Sequence, residues 1–107
     1  MSPDLRRALQ ATWVHSHEED EGNRLVFRGP DFDFPPSRGR TALTLKPDGV
    51  VEVVGPGPDD RRRTGSGRWT LAGGRRLEIQ ASGFSGSFEV EIVDDQRLVV
   101  RRVREEQ

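Results

Sequence analysis

The sequence predicts an all-β domain: an antiparallel up-and-down meander of about eight short strands, closed into a small barrel behind a short N-terminal helix. Three observations predict it. Apolar residues recur with period two in short runs. Those runs are separated by brief Gly, Pro, Asp and Asn turn signals. No helical stretch is long enough to carry a parallel crossover, so neighbouring strands are expected to be antiparallel. A chain of 107 residues suits one domain, 1–107, with a modest core.

The first element is read at the N-terminus. Ser2 can cap a helix, Pro3 suits its first position, and Leu5, Ala8 and Leu9 share a helical face, so a turn or two precedes the first strand. In Trp13-Val14-His15-Ser16-His17, strand parity places Trp13, His15 and His17 on one face. Strand two carries Leu25 and Phe27 together within 23–28. Strand three carries Leu43 and Leu45 within 40–46, and Pro47-Asp48-Gly49 turns it into strand four, 50–54.

The second half repeats this grammar. The segment 68–71 is joined through Gly73-Gly74 to 75–80, with Trp69, Leu71, Leu77 and Ile79 on the buried face. In 87–93 Phe88, Val90 and Ile92 are expected inside and Glu89 and Glu91 outside. Asp94-Asp95-Gln96 turns this strand into 97–103, where both faces are partly apolar, as if the N-terminal helix or a second subunit covers one. Two longer connections, 29–39 and 55–67, are read as loops, with the glycines of Gly65-Ser66-Gly67 permitting a bend at a barrel corner.

Charge narrows the function classes. Seventeen basic residues offset eighteen acidic ones, which gives no global attraction to nucleic acid or an anionic membrane, and neither is expected as a partner. The absence of cysteine removes disulfides and thiolate metal sites. The first residues lack the apolar core of a signal peptide and no run reaches membrane-spanning length, so a cytoplasmic location is expected.

The short helix running into Ala11-Thr12-Trp13, a second Gly67-Arg68-Trp69, and a meander ending in Arg101-Arg102 resemble the lipocalin-like, or calycin, families of small barrels. The resemblance implies that Trp13 packs across the closed end of the barrel with Arg101 or Arg102 as its cover. Ala11 stands where those families carry glycine.

The candidate site is the strip of polar and aromatic residues facing the barrel interior. Trp13, Phe27, Trp69 and Phe88 are expected to form a ligand-binding wall, with His15, His17 and Arg40 as polar contacts. Two imidazoles two residues apart on a strand can converge on one ion, and Glu21 has the parity to join them, but with only two histidines in the chain the expectation is no metal and no cofactor. The acidic run 18–21 is read chiefly as a solvated turn, with two alternatives: a general acid or base beside His17, or partners for Arg38-Gly39-Arg40 that would hold strands one and three in place. Phe32 and Phe34 are expected to flank a ligand entrance or mediate a dimer contact, or at least one of them to fold back over an open barrel end. Asp59-Asp60-Arg61-Arg62-Arg63 is read as a solvated turn, with an anion clamp as its alternative.

Three functions follow: a small-molecule-binding barrel, limited to a small or partly inserted ligand; a barrel enzyme, such as an isomerase, cyclase or lyase, that moves a proton with His15 or His17; and a packed barrel acting in protein interaction without a ligand. The expected partners are a small-molecule ligand for the first, and for the assembly a monomer or homodimer.

Overall fold

Turn chemistry sets the hairpins. At Pro47-Asp48-Gly49 the Asp48 carboxylate accepts the Val50 amide at 3.1 Å and Gly49 takes φ 86°. At Gly73-Gly74 both residues have positive φ, 55° and 87°, the left-handed pair a tight hairpin requires. A computed structural model describes residues 5–35, 40–56 and 62–103. Its elements are α1 (Leu5–Leu9), β1 (Thr12–His15), a 3₁₀ turn (His17–Glu19), β2 (Arg24–Arg28), β3 (Ala42–Leu45), β4 (Val50–Pro56), β5 (Arg62–Ala72), β6 (Arg76–Ala81), β7 (Phe84–Val93) and β8 (Arg97–Arg102). The eight strands are antiparallel and close into a barrel, in the order β1-β2-β8-β7-β6-β5-β4-β3.

That order refines the expected meander at one place. Strands β3 to β8 are a continuous meander, but the β1–β2 hairpin is inserted between its two ends. β2 pairs with β8, from Arg24↔Arg101 to Arg28↔Arg97, and β1 pairs with both β2 and β3. β2 and β3 both run antiparallel to β1, so they are parallel to each other and their connection must cross β1. The register keeps the apolar faces of the two strands aligned. Leu25 meets Val100 and Phe27 meets Leu98 inside the barrel, while Val26 meets Val99 outside.

The interior is filled. Trp13, Trp69, Phe27 and Phe88 are each 1% exposed and are surrounded by Leu43, Leu45, Val51, Leu77, Ile79, Val90, Leu98 and Val100. Both indoles have their N–H satisfied: Trp13 Nε1 donates to the Leu9 carbonyl at 3.0 Å and Trp69 Nε1 to that of Lys46 at 2.9 Å. α1 closes this end of the barrel. Leu9 is fully buried and Leu5 partly buried, and Arg6 lies 4.5 Å from the centroid of the Trp69 ring while donating to the Pro47 carbonyl. Ala8, expected on the same face, is exposed; Ser2 and Pro3 lie outside the described residues.

Backbone closes the opposite end. Gly65 and Gly67 lie within β5 and not in a loop, and they share a strand face with Trp69. A Cβ at Gly67 would stand 1.9 Å from the Gln80 carbonyl oxygen and 2.5 Å from Ala81 Cα. One at Gly65 would stand 2.5 Å from the Ser82 carbonyl oxygen. The missing side chains let the end of β6 and the β6–β7 turn fold tightly against β5, the corner foreseen for these glycines.

A bulge corrects the reading of β7. Val90 pairs with Val100 but Ile92 pairs with Val99, so Glu91 is an extra residue. Ile92 is therefore turned outward, 39% exposed, and Val93 replaces it opposite Leu98. On the outer face Val26, Val99 and Ile92 make one apolar row. Arg24 and Arg101 stand above it, Arg28 and Arg97 below. Val26 and Val99 are 8% and 6% exposed. The 3₁₀ turn packs against β2, where the Val26 amide donates to Asp20, and the N-terminal helix sits at the end of the barrel instead.

Candidate functional site

The segment 15–20 concentrates the polar chemistry predicted from sequence. β1 stops at His15, because Ser16 starts a 3₁₀ turn in which the Glu19 amide bonds the Ser16 carbonyl at 2.9 Å and Ser16 Oγ donates to Glu19 Oε2 at 2.8 Å. Strand parity therefore ends before His17, whose side chain is 50% exposed. The two imidazoles still lie near each other, with centroids 6.1 Å apart and edge to face.

His15 is held from several sides. Its ring lies 5.1 Å from that of Phe27, and Nε2 stands 2.9 and 3.1 Å from the two carboxylate oxygens of Asp20. A nitrogen facing a carboxylate is the one that carries the proton, which leaves Nδ1 as the lone-pair nitrogen. Asp20 is oriented in turn by the Val26 amide, which donates to Oδ1 at 3.0 Å. The His15 amide bonds the Thr41 carbonyl at 2.8 Å, and Arg40 Nη1 reaches the His15 carbonyl at 3.4 Å. The carboxylate thus fixes the orientation of the imidazole ring.

Around this pair the acidic run forms two parallel clamps. Glu18 receives both terminal nitrogens of Arg40, at 2.7 and 2.6 Å, and that guanidinium lies 4.6 Å from the Phe34 ring centroid. Glu19 receives Arg28 Nη2 at 2.7 Å and Nε at 2.9 Å, and that guanidinium lies 4.6 Å from the Phe32 ring. The two phenyl rings meet edge to face at 4.9 Å. The segment that crosses β1 is thereby tied to the turn leaving β1. The bidentate arginines hold both carboxylates well below the usual range, at about 2, and the carboxylates raise Arg28 and Arg40 in return.

Arg40 therefore pairs with the acids, as one reading of the run foresaw, and does not line the interior; Arg38 and Gly39 lie outside the described residues. Trp13, Phe27, Trp69 and Phe88 are core residues, and of these Phe27 has its ring against that of His15. Sequence reasoning did not single out Arg28. Its signal was an arginine at the end of a strand, with the facing acid nine residues away. Glu21 forms an isolated bridge with Arg24, and among the described residues no three His, Cys, Asp or Glu side chains come together to hold a metal. Asp59, Asp60 and Arg61 lie outside the described residues, and Arg62 and Arg63 begin β5.

Three spaces among the described residues bear on binding, one of them a shallow outer cleft of about 410 Å³ over β4 and β5. The interior void, lined by Phe27, Leu77, Phe84 and Phe88 among others, measures about 10 Å³. On the outer face a cleft of about 370 Å³ runs between the Gly73 turn and β8. Its walls are largely self-satisfied: Arg101 pairs with Glu89 and Glu91, and Arg75 donates to the carbonyls of Val90 and Glu91.

No protein-family model, curated protein or solved structure matches this chain. What it shares with the lipocalin-like barrels is the closed eight-strand antiparallel barrel with a short N-terminal helix. The arginine cover differs from the one that resemblance implied. Arg6 lies over Trp69, Arg102 lies 5.3 Å from the Phe88 ring, and Arg101 is engaged with acids on the outer face. None of the described helices is long and apolar enough to cross a membrane.

Proposed function

We propose that this protein is a packed barrel that works through its outer surface, as a protein-interaction module with no resident ligand inside. The observation that carries this reading is the interior void of about 10 Å³, against roughly 300 Å³ or more for sites that enclose organic ligands. Four large aromatic side chains, each 1% exposed, occupy the space a ligand would need. The outer face of β2, β8 and β7 offers a partner an exposed Ile92 beside arginines that are held in place by Glu19, Glu89 and Glu91. Arginine and a partly exposed apolar side chain are the kind of anchors protein interfaces use.

The test is a titration with probes too large for the void, an anilinonaphthalene sulfonate and a long-chain fatty acid, followed through the fluorescence of Trp13 and Trp69. The proposal expects no saturable change. Saturable uptake that alters indole emission would return the reading to a small-molecule-binding barrel.

The His15–Asp20 pair favours a second reading, a barrel enzyme that moves a proton at His15 Nδ1. Its test is the double variant H15Q/H17Q assayed beside wild type on any substrate found to turn over. Unchanged turnover removes it.

A further inference from the structure

Phe84 differs from the other interior aromatics. Phe27 and Phe88 are each 1% exposed, whereas Phe84 is half-buried although it lines the same void. Its ring stacks on Phe88 with centroids 5.6 Å apart and planes 17° apart, and meets Phe27 edge to face at 6.2 Å. It is the first residue of β7. Gly83, with φ 94°, precedes it, and Gly86, with φ 153°, follows two residues later. A ring that fills an apolar slot while reaching solvent, set between two glycines in conformations other residues rarely adopt, can leave the slot by a local change of the turn.

We propose that Phe84 is a displaceable plug, and that the slot it vacates binds an uncharged single-ring aromatic compound. The slot is walled by the Phe27 and Phe88 rings and adjoins the interior void, whose lining includes Leu43, Leu77, Ile79 and Val100, all apolar. An incoming ring inherits the stacked contact on Phe88 and the edge contact on Phe27. A vacated apolar slot of one phenyl ring, open to solvent at the position Phe84 held, offers water no polar partner and takes a benzene-sized guest. Fused-ring and long-chain compounds are excluded, because the remaining interior is close-packed. The inference goes beyond the interaction reading: the site exists only while Phe84 is out, so the protein as purified is unoccupied.

The experiment titrates ¹⁵N,¹³C-labelled full-length protein with toluene and follows methyl and ring resonances, in wild type and in F84A. Wild type should show saturable shifts at Leu77, Ile79 and Phe88. F84A should bind at least tenfold tighter, because apparent affinity scales with the population of the open state, roughly 10% or less when the plug is the favoured state. Saturable shifts in F84A with none in wild type up to the solubility limit of toluene would overturn the proposal, as would shifts that map outside the slot. Should F84A fail to fold, F84L keeps most of the apolar volume. Tighter binding than wild type supports the plug, and equal affinity refutes it.

Discussion

Replacing Gly67 with alanine tests the way the barrel closes opposite α1. The added Cβ would lie 1.9 Å from the Gln80 carbonyl oxygen and 2.5 Å from Ala81 Cα, both backbone atoms of the paired strand. No rotamer change relieves such an overlap, so β5 and β6 must separate by more than 1 Å at Gly67↔Ala81. Separation weakens ladder bonds of about 1 kcal/mol each and loosens the fold-over of the β6–β7 turn. Overpacking adds about 1–3 kcal/mol. The expected cost is about 3 kcal/mol, or a fall in Tm of roughly 12–24 °C for a domain of this size. The control is Gly73→Ala, where a Cβ meets nothing within 4 Å but φ is +55°. Only the left-handed strain of about 1–2 kcal/mol applies there. The assay is urea unfolding followed by tryptophan fluorescence, with m-values compared to establish two-state behaviour. A G67A variant no less stable than G73A would refute the close approach of β6 to β5.

Other consequences follow from particular contacts. Glu18 and Glu19 titrate at about 2 when folded and near 4.5 otherwise, so their contribution is complete above pH 4.5 and is lost as pH falls from about 4.5 to 2; unfolding midpoints in that window should fall less steeply for E18Q/E19Q than for wild type. Trp13→Phe removes the N–H that bonds the Leu9 carbonyl together with the five-membered ring of a fully buried side chain, and should cost at least about 2 kcal/mol in urea unfolding, whereas a change near zero would show that neither the bond nor the packing of the indole fastens α1. The His15 ring should be the Nε2–H tautomer when neutral, as read by long-range ¹H–¹⁵N correlation, and a protonated Nδ1 would contradict its bond to Asp20.

The sequence revealed strand faces better than strand neighbours. Alternation placed Trp13, Phe27, Leu43, Leu45, Trp69, Leu77, Ile79 and Phe88 inside, because period two states which way a side chain points. It does not state which strand lies alongside, so the insertion of β1–β2 between β3 and β8 was not legible: Leu25 and Phe27 have the same parity for either partner. Ile92 failed for a related reason. A bulge at Glu91 shifts register by one residue and leaves the alternation intact in the sequence. At the site, the Arg40 partnership could be read from charge. The His15–Asp20 bond could not, because it depends on a 3₁₀ turn that ends the strand where the polar run Ser16-His17-Glu18 still alternates plausibly. Whether the barrel is open or filled depended on how deeply four aromatic rings interlock, which composition alone does not encode.

The most direct test of the central claim is native mass spectrometry of protein purified without added ligand, repeated after denaturation and with a chelator. A filled barrel gives the mass of the bare chain, 12.0 kDa, or its multiple, before and after denaturation alike. An organic mass that is lost on denaturation would contradict the filled interior and make the barrel a ligand carrier.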